Sequence, residues 1–407
     1  MTLAHDRSAW ASRIEAELRG NILPFWIAHT VDRENGGFHG ALTNDLRVKD
    51  DVERSAILCA RILWTYAAAY RRYGDDAYLQ MARHAYNYLT GPLWDRQYGG
   101  VYWSVDRDGR PVSARKHNYA QAFAIYGLSE YHRATGDAAA LQMAQAVFRL
   151  VDDHSYDPVH GGYMEGSSRA WGPLTDMRLS PQDANSPKSM NTMLHLMEAY
   201  INLLRVWQDA TLRARLRDLI AAFLNHIVDP DTHHFHLYFD ARWQWRPFSE
   251  AVSYGHDVEG SWLLVEASEV LGDPYLEARA RTEAVLMAER VYAEALEPDG
   301  SLLYEFNPAA GHASRAGRKQ WWAQAEAVVG FYNAYQISGQ ERFAEASAQC
   351  WAYIESHFVD RVHGDWFKSL DQEGKPDLSY VKVGPWECPY HSGRACLEML
   401  ARLHGAS

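Results

Sequence analysis

The sequence predicts an all-α protein, an (α/α)6 barrel of six helical hairpins with short β-hairpin-like loops at one end. Three observations predict it. Turn-forming segments rich in Asp and Gly recur six times, at intervals of roughly 60 to 70 residues. Between them lie paired stretches with apolar residues at i, i+3, i+4 and i+7, the period of an amphipathic helix. One helical pattern is left over at each end of the chain, and those two can pair to close a ring.

The opening helix is expected over about Ser8 to Thr30. The first punctuation, D-R-E-N-G-G-F-H-G at Asp32 to Gly40, places turn formers ahead of aromatics and reads as a short hairpin or extended loop. The helical run A-I-L-C-A-R-I-L-W-T-Y-A-A-A-Y-R-R-Y follows, then a Gly74-Asp75 turn and D-A-Y-L-Q-M-A-R-H-A-Y-N-Y-L. Asp95 to Pro111 opens the second unit, whose helix follows Tyr119 and turns at Gly136-Asp137. Punctuations starting at Asp157, Asp229 and Glu297 introduce helices after Asn191, His256 and Trp322, with turns at Gln208-Asp209, Gly272-Asp273 and Gly339-Gln340. The last begins at Asp360, and a single helix follows His391. An open solenoid of helix pairs is the rival architecture, but it would need polar end caps that the pattern lacks. No linker or low-complexity stretch divides the chain, so one catalytic domain over residues 1–407 is expected.

Composition narrows the function. The chain of 407 residues is 47% hydrophobic and 23% charged, ordinary for a globular protein. Its net charge of −12 argues against non-specific nucleic-acid binding and against attraction to anionic lipid. The 15 Trp and 24 Tyr suit helix packing and equally suit stacking on sugar faces. Cys59, Cys350, Cys388 and Cys396 form no Cys-x-x-Cys pair and read as free thiols of a reducing compartment. With no apolar leader and no run near the roughly 20 apolar residues of a membrane span, a cytoplasmic location is expected. A Walker-type loop, Gly-x-Gly-x-x-Gly and Gly-x-Ser-x-Gly are all missing from the sequence. His233, His234 and His236 cluster, but without His-Glu-x-x-His spacing or an evident carboxylate partner they read as an exposed loop. Neither a metal nor a cofactor is therefore expected.

The repeat supplies a register for the polar residues. Fourteen positions before Asp75, Asp137, Asp209, Asp273 and Gln340 stand Arg61, Phe123, His195, Glu259 and Glu326. One helical turn earlier stand Ile57, Tyr119, Asn191, Gly255 and Trp322, and His256 and His391 fall near the same level. In a closed barrel the N-terminal ends of the inner helices ring one mouth, so these groups surround one cavity. Each alone is most simply a helix cap or a satisfied buried group. As a set they point to function, because buried polar groups cost free energy unless paired or used. In S-Y-G-H-D-V-E-G-S-W, Ser253 to Trp262, His256 and Glu259 lie three apart and fall on one helix face. Read alone, that pair is a buried histidine held by a carboxylate.

At these residues the chain resembles the N-acylglucosamine 2-epimerase superfamily, and within it the cellobiose 2-epimerases. The matching blocks are C-A-R-I-L-W around Arg61, R-K-H-N-Y-A-Q-A-F from Arg115, S-M-N-T-x-L-H from Ser189 and Y-G-H-D-V-E-G-S-W from Tyr254. Q-W-W-A-Q-A-E from Gln320 and W-E-C-P-Y-H-S-G-R-A-C from Trp386 complete them, and together they span nearly the whole chain. The resemblance implies cofactor-free epimerisation at carbon 2 of an aldose. It implies that His256 and His391 are the acid/base pair, that His195 assists ring opening or bonds the substrate, and that Glu259 supports His256. It further implies that Arg61, Tyr119, Asp183, Asn191 and Glu326 bind the sugar, with Trp321, Trp322 and Trp386 packing its faces. Three departures stand out: Met193 where the cellobiose group has His, Lys319-Gln320 ahead of the Trp pair, and Glu387 where Lys is common.

The chemistry needs such residues. The carbon 2 proton is acidic only beside a free aldehyde, so the ring must open before a base can remove it and leave a cis-enediolate. Imidazole, with an ordinary pKa of about 6.5, serves as base or acid near neutrality, and an arginine fork suits the oxygen where charge develops. The expected substrate is the reducing-end glucose of a β-1,4-linked disaccharide, cellobiose or lactose, and the alternative is free mannose or glucose. An inverting glycoside hydrolase on the same barrel would need carboxylates about 6.5–9.5 Å apart, for which Glu259 with Glu326 or Asp183 are the candidates. A non-enzymatic sugar-binding protein is the third reading. The only partner expected is the saccharide, with the chain a monomer or weak homodimer.

Overall fold

The computed structural model describes residues 6–245, 250–307 and 318–405. Six inner helices, Ala56–Tyr73, Asn118–Thr135, Met190–Leu204, Tyr254–Leu271, Trp321–Ser338 and Tyr390–Leu403, each pack against the next, and the last packs against the first. That ring is an (α/α)6 barrel. The inner helices are buried on nearly every face; Ala56 to Ala69 is buried without a break. Helices covered all round belong in a core, whereas the outer ones carry a single apolar stripe.

The outer helices Asp76–Thr90, Ala138–Ser155, Ala210–Ala222, Pro274–Glu294 and Glu341–Tyr353 return antiparallel to the inner ones. The opening helix Arg7–Glu17 and the π-helical turn Leu18–Ile22 pack against the C-terminal helix and, continued by Leu23–His29, supply the sixth outer element.

Local chemistry sets the tight Gly-Asp turns. Gly74, Gly136 and Gly272 end inner helices with φ of 67°, 74° and 69°, a left-handed conformation that glycine adopts without a Cβ clash. The next residue, Asp75, Asp137 or Asp273, accepts a backbone N–H of the following helix and caps it. The Gln208-Asp209 turn lacks the glycine, and its inner helix stops earlier, at Leu204.

All six punctuations close on one antiparallel bridge: Val31–Phe38, Trp94–Val101, Tyr156–Tyr163, Val228–Phe235, Leu296–Leu302 and Val359–Trp366. In five of them the leading Asp accepts two backbone N–H groups of its own turn, as Asp95 does from Gln97 and Tyr98. The same carboxylates meet buried cations: Arg54 on Asp32, Lys116 on Asp95 at 3.1 Å, Lys188 on Asp157 at 2.9 Å, and Lys382 on Asp360. Arg54, Lys116 and Lys188 stand in two-residue strands that run directly into inner helices. The pairs therefore fasten the loops at the end of the barrel where the inner helices begin. No helix among the described residues is long and apolar enough to cross a membrane.

Candidate functional site

The mouth formed by the inner-helix N-termini holds a cavity of about 530 Å³, within the range of small-molecule sites. Arg61, Tyr119, Asn191, His195, His256, Glu259, Trp321, Trp322 and His391 reach it from the inner helices, and Asp183 and Trp386 reach it from loops. A second cavity of about 350 Å³ adjoins the first and shares Asp183, Asn191, His256 and Tyr304 with it.

Beneath the cavity floor lies a buried ionic network. Arg394, three residues beyond His391, donates to Glu198, to Glu259 at 2.5 Å and to Glu326 at 2.7 Å. Glu326 Oε1 also accepts from Nδ1 of His391 at 2.7 Å, and its Oε2 accepts from the Trp262 indole at 3.0 Å. Glu198 holds Nδ1 of His195 at 3.0 Å and accepts from the Tyr390 hydroxyl. Two of the three imidazoles thus have a carboxylate on Nδ1, which leaves Nε2 for the cavity.

Burial governs the titration of these groups. It pushes His256 down to about 3, with the nearby His195 adding to the effect. It pushes His391 well below the ordinary range, helped by Arg61 and Arg394, and lowers His195 despite Glu198. All three rings are therefore neutral near pH 7 and able to accept a proton. Burial and the neighbouring Glu326 push Glu259 up, against the pull of Arg394. Burial would also raise Glu198, but Arg394 and His195 hold it down to about 2.

On the facing wall Arg61, 2% exposed, donates to the Tyr119 hydroxyl at 2.8 Å. Its guanidinium stacks over Phe123 and Tyr390 at 4.2 and 4.8 Å, which keeps the fork rigid. Nε of Arg61 and Oδ1 of Asn191 are buried without a protein partner. Asp183 accepts from Ser180 and from the Tyr238 hydroxyl at 2.6 Å, so a loop residue is held rigidly at the cavity wall.

The structure corrects three expectations. Glu259 does not support His256: its carboxylate turns to Arg394, the nearest cation, and lies 3.9 Å from His391 instead. Nδ1 of His256 meets the Ser253 hydroxyl at 2.7 Å. Glu326 does not line the cavity, because His391, Arg394 and Trp262 occupy its carboxylate from behind. The histidine cluster also has acidic partners: His233 meets Glu283 at 2.8 Å, buried His234 meets Asp257 at 2.8 Å, and His236 meets Asp229 at 3.2 Å. Glu283 and Asp257 come from neighbouring helices, and Asp229 opens the same turn.

Glu198, Arg394 and Ser253 escaped the sequence reading. A signal existed for the first two, since each follows a site histidine at i+3 on the same helix. Glu259, Glu326 and His391 bring potential metal donors within 4.8 Å of one another. The guanidinium of Arg394 already bonds both carboxylates, so this donor set has its cation in the protein.

Comparison with known proteins follows the same lines. The N-acylglucosamine 2-epimerase (GlcNAc 2-epimerase) family pattern matches residues 36–395. A cellobiose 2-epimerase of Bacteroides fragilis is 46% identical over 387 residues, covering 95% of this chain and 97% of that one. A cellobiose 2-epimerase of Ruminococcus albus is 38% identical over 392 residues, covering 96% and 98%. The solved cellobiose 2-epimerase of Bacillus thermoamylovorans superposes with a TM-score of 0.90 at 37% identity, over 97% of this chain and 99% of that one. A barrel whose mouth carries these blocks in this register, matched from end to end, belongs to the N-acylglucosamine 2-epimerase family.

Proposed function

We propose that the protein is a cellobiose 2-epimerase, interconverting glucose and mannose at the reducing end of β-1,4-linked disaccharides without a cofactor. The observation that carries this reading is a pair of neutral imidazoles, His256 and His391, on one cavity with Nδ1 of each engaged. The full-length likeness to proteins bearing that name supports it.

In this mechanism His195 assists ring opening, which exposes the aldehyde and acidifies the carbon 2 proton. One histidine removes the proton through Nε2. The C–H electron pair becomes the enediolate, and Arg61, backed by Tyr119, stabilises the oxygen that gains charge. The imidazolium so formed passes its proton to cavity water, the other histidine takes one up at Nε2 and delivers it to the opposite face of carbon 2, and the ring closes with both imidazoles neutral as they began. Trp322 and Trp386 stack on the apolar sugar faces. The substrate changes only in configuration, so no oxidant or reductant is required.

Geometry disfavours Glu259 with Glu326 as the carboxylate pair of an inverting hydrolase. Donor oxygens of Glu259 and Glu326 lie within 4.8 Å of each other, nearer than the about 6.5–9.5 Å that inversion needs. Both are also bound to Arg394. The test is incubation with cellobiose, lactose, mannose and glucose in heavy water, followed by NMR. Deuterium at carbon 2 with mannose at the reducing end of the disaccharide is the expected result. New reducing ends would establish hydrolysis, turnover of the monosaccharides alone would establish a mannose/glucose epimerase, and binding without exchange would establish a sugar-binding protein.

A further inference from the structure

Ser253 stands at the N-cap of helix Tyr254–Leu271, yet its side chain makes no capping bond. The equivalent residues of three other inner helices do cap: Ser55 accepts from Ile57, His117 from Tyr119, and Ser189 from Thr192. A serine there ordinarily satisfies one of the free amides at the helix start. The Ser253 hydroxyl instead lies 2.7 Å from Nδ1 of His256. Ser253 is buried, and Trp322 holds the imidazole from another side at a centroid distance of 4.7 Å. Nε2 is then the ring nitrogen without a protein partner among the described residues, and His256 lines both cavities.

The partner of this ring differs from those of its neighbours. His195 and His391 rest on carboxylates, Glu198 and Glu326, and a negative charge stabilises an imidazolium. A hydroxyl can accept from Nδ1–H but offers no charge.

We propose that Ser253 is a positioning residue of the epimerisation: its hydroxyl accepts from Nδ1–H of His256 and so aims Nε2 at carbon 2. The proposal rests on the two-histidine reading above. His256, neutral at rest, takes up a proton at Nε2 from cavity water, gives it to carbon 2 and returns to the neutral Nδ1–H tautomer that the hydroxyl holds. In the reverse direction the same proton returns to Nε2, so the serine keeps one hydrogen bond in both states.

The test uses the full-length protein and cellobiose, with initial rates measured against pH and folding checked by circular dichroism and thermal melting. Ser253→Ala should lower kcat about 10- to 100-fold, as removal of an orienting partner does for other fixed imidazoles, and leave KM within about twofold. Ser253→Thr keeps the hydroxyl and should restore most of kcat. Ser253→Asp supplies a charge and should move the pH limb belonging to His256 to higher pH. If Ser253→Ala does not fold, Ser253→Gly, which suits an N-cap, carries the same comparison. A kcat within twofold of the parent in Ser253→Ala overturns the proposal. So does a loss that threonine fails to restore, or an Asp variant whose pH profile is unmoved. His256→Asn in parallel separates the two readings. If it stays active, the two-histidine mechanism itself fails; if it is inactive while Ser253→Ala is unimpaired, only the role of Ser253 fails.

Discussion

Glu326 Oε1 lies 2.7 Å from Nδ1 of His391 and 2.7 Å from Nη2 of Arg394, so one buried oxygen orients a cavity histidine and neutralises a cation. His256 has a neutral hydroxyl in the corresponding place. The two proposed acid/base groups are therefore built differently, and the predictions below turn on that difference.

His256→Asn and His391→Asn should each fold and lose epimerisation. Positioned acid–base groups contribute on the order of 10²- to 10⁴-fold, so both should fall at least about 100-fold in kcat. Deuterium exchange at carbon 2 measures this directly, and substantial exchange in either variant would overturn the assignment.

Glu326→Gln keeps an oxygen for His391 but removes the charge. We expect kcat to fall about 10-fold or more with little change in KM, since the carboxylate acts on the base and not on the bound sugar. The limb of the pH–rate profile belonging to His391 should move to lower pH, because its imidazolium loses a negative neighbour.

Arg61→Ala should lower kcat/KM by on the order of 100-fold or more if, as proposed above, its guanidinium stabilises the enediolate oxygen. Arg61→Lys should recover little, because an ammonium lacks the planar fork held between Phe123 and Tyr390. Comparing the rate on cellobiose with the affinity for the epimeric product separates the two effects.

Arg394→Met should destabilise the whole barrel. It strips the shared cation from Glu198, Glu259 and Glu326, all at most 2% exposed. Breaking a buried ion pair costs about 3–5 kcal/mol, and chemical denaturation should show a loss at least that large or failure to fold. A variant as stable as the parent would show that the network is not structural.

Glu165 yields a pH prediction. It is 3% exposed, accepts from Ser189 N and Thr192 Oγ1 at 2.7 Å each, and burial pushes it from 4.5 up to about 8. A carboxyl raised on folding stabilises the native state fully below its unfolded value and loses that contribution as pH climbs. Stability should therefore fall from this group's contribution as pH rises from 4.5 towards about 8. Glu165→Gln should flatten the decline, and urea denaturation at several pH values across that window tests it.

The sequence alone determined the architecture and the membership of the mouth. Period-3.6 apolar patterns, Gly-Asp turns and recurrent Asp-led punctuations are local devices, and their sixfold repetition leaves a ring as the arrangement that pairs both termini. Register along equivalent helices then brought Arg61, Tyr119, Asn191, His195, His256 and His391 to one level, and the structure places all of them on one cavity. Tertiary structure alone decided the pairing beneath that surface. A buried carboxylate goes to the cation that offers the best geometry, and Arg394 reaches Glu198, Glu259 and Glu326 across as many as 196 residues of sequence. That competition drew Glu259 away from His256 and put Glu326 behind His391. It left His256 to a serine whose helical position promised only a cap. Spacing tells which residues share a level; which of them are bonded depends on contacts between helices far apart in the chain.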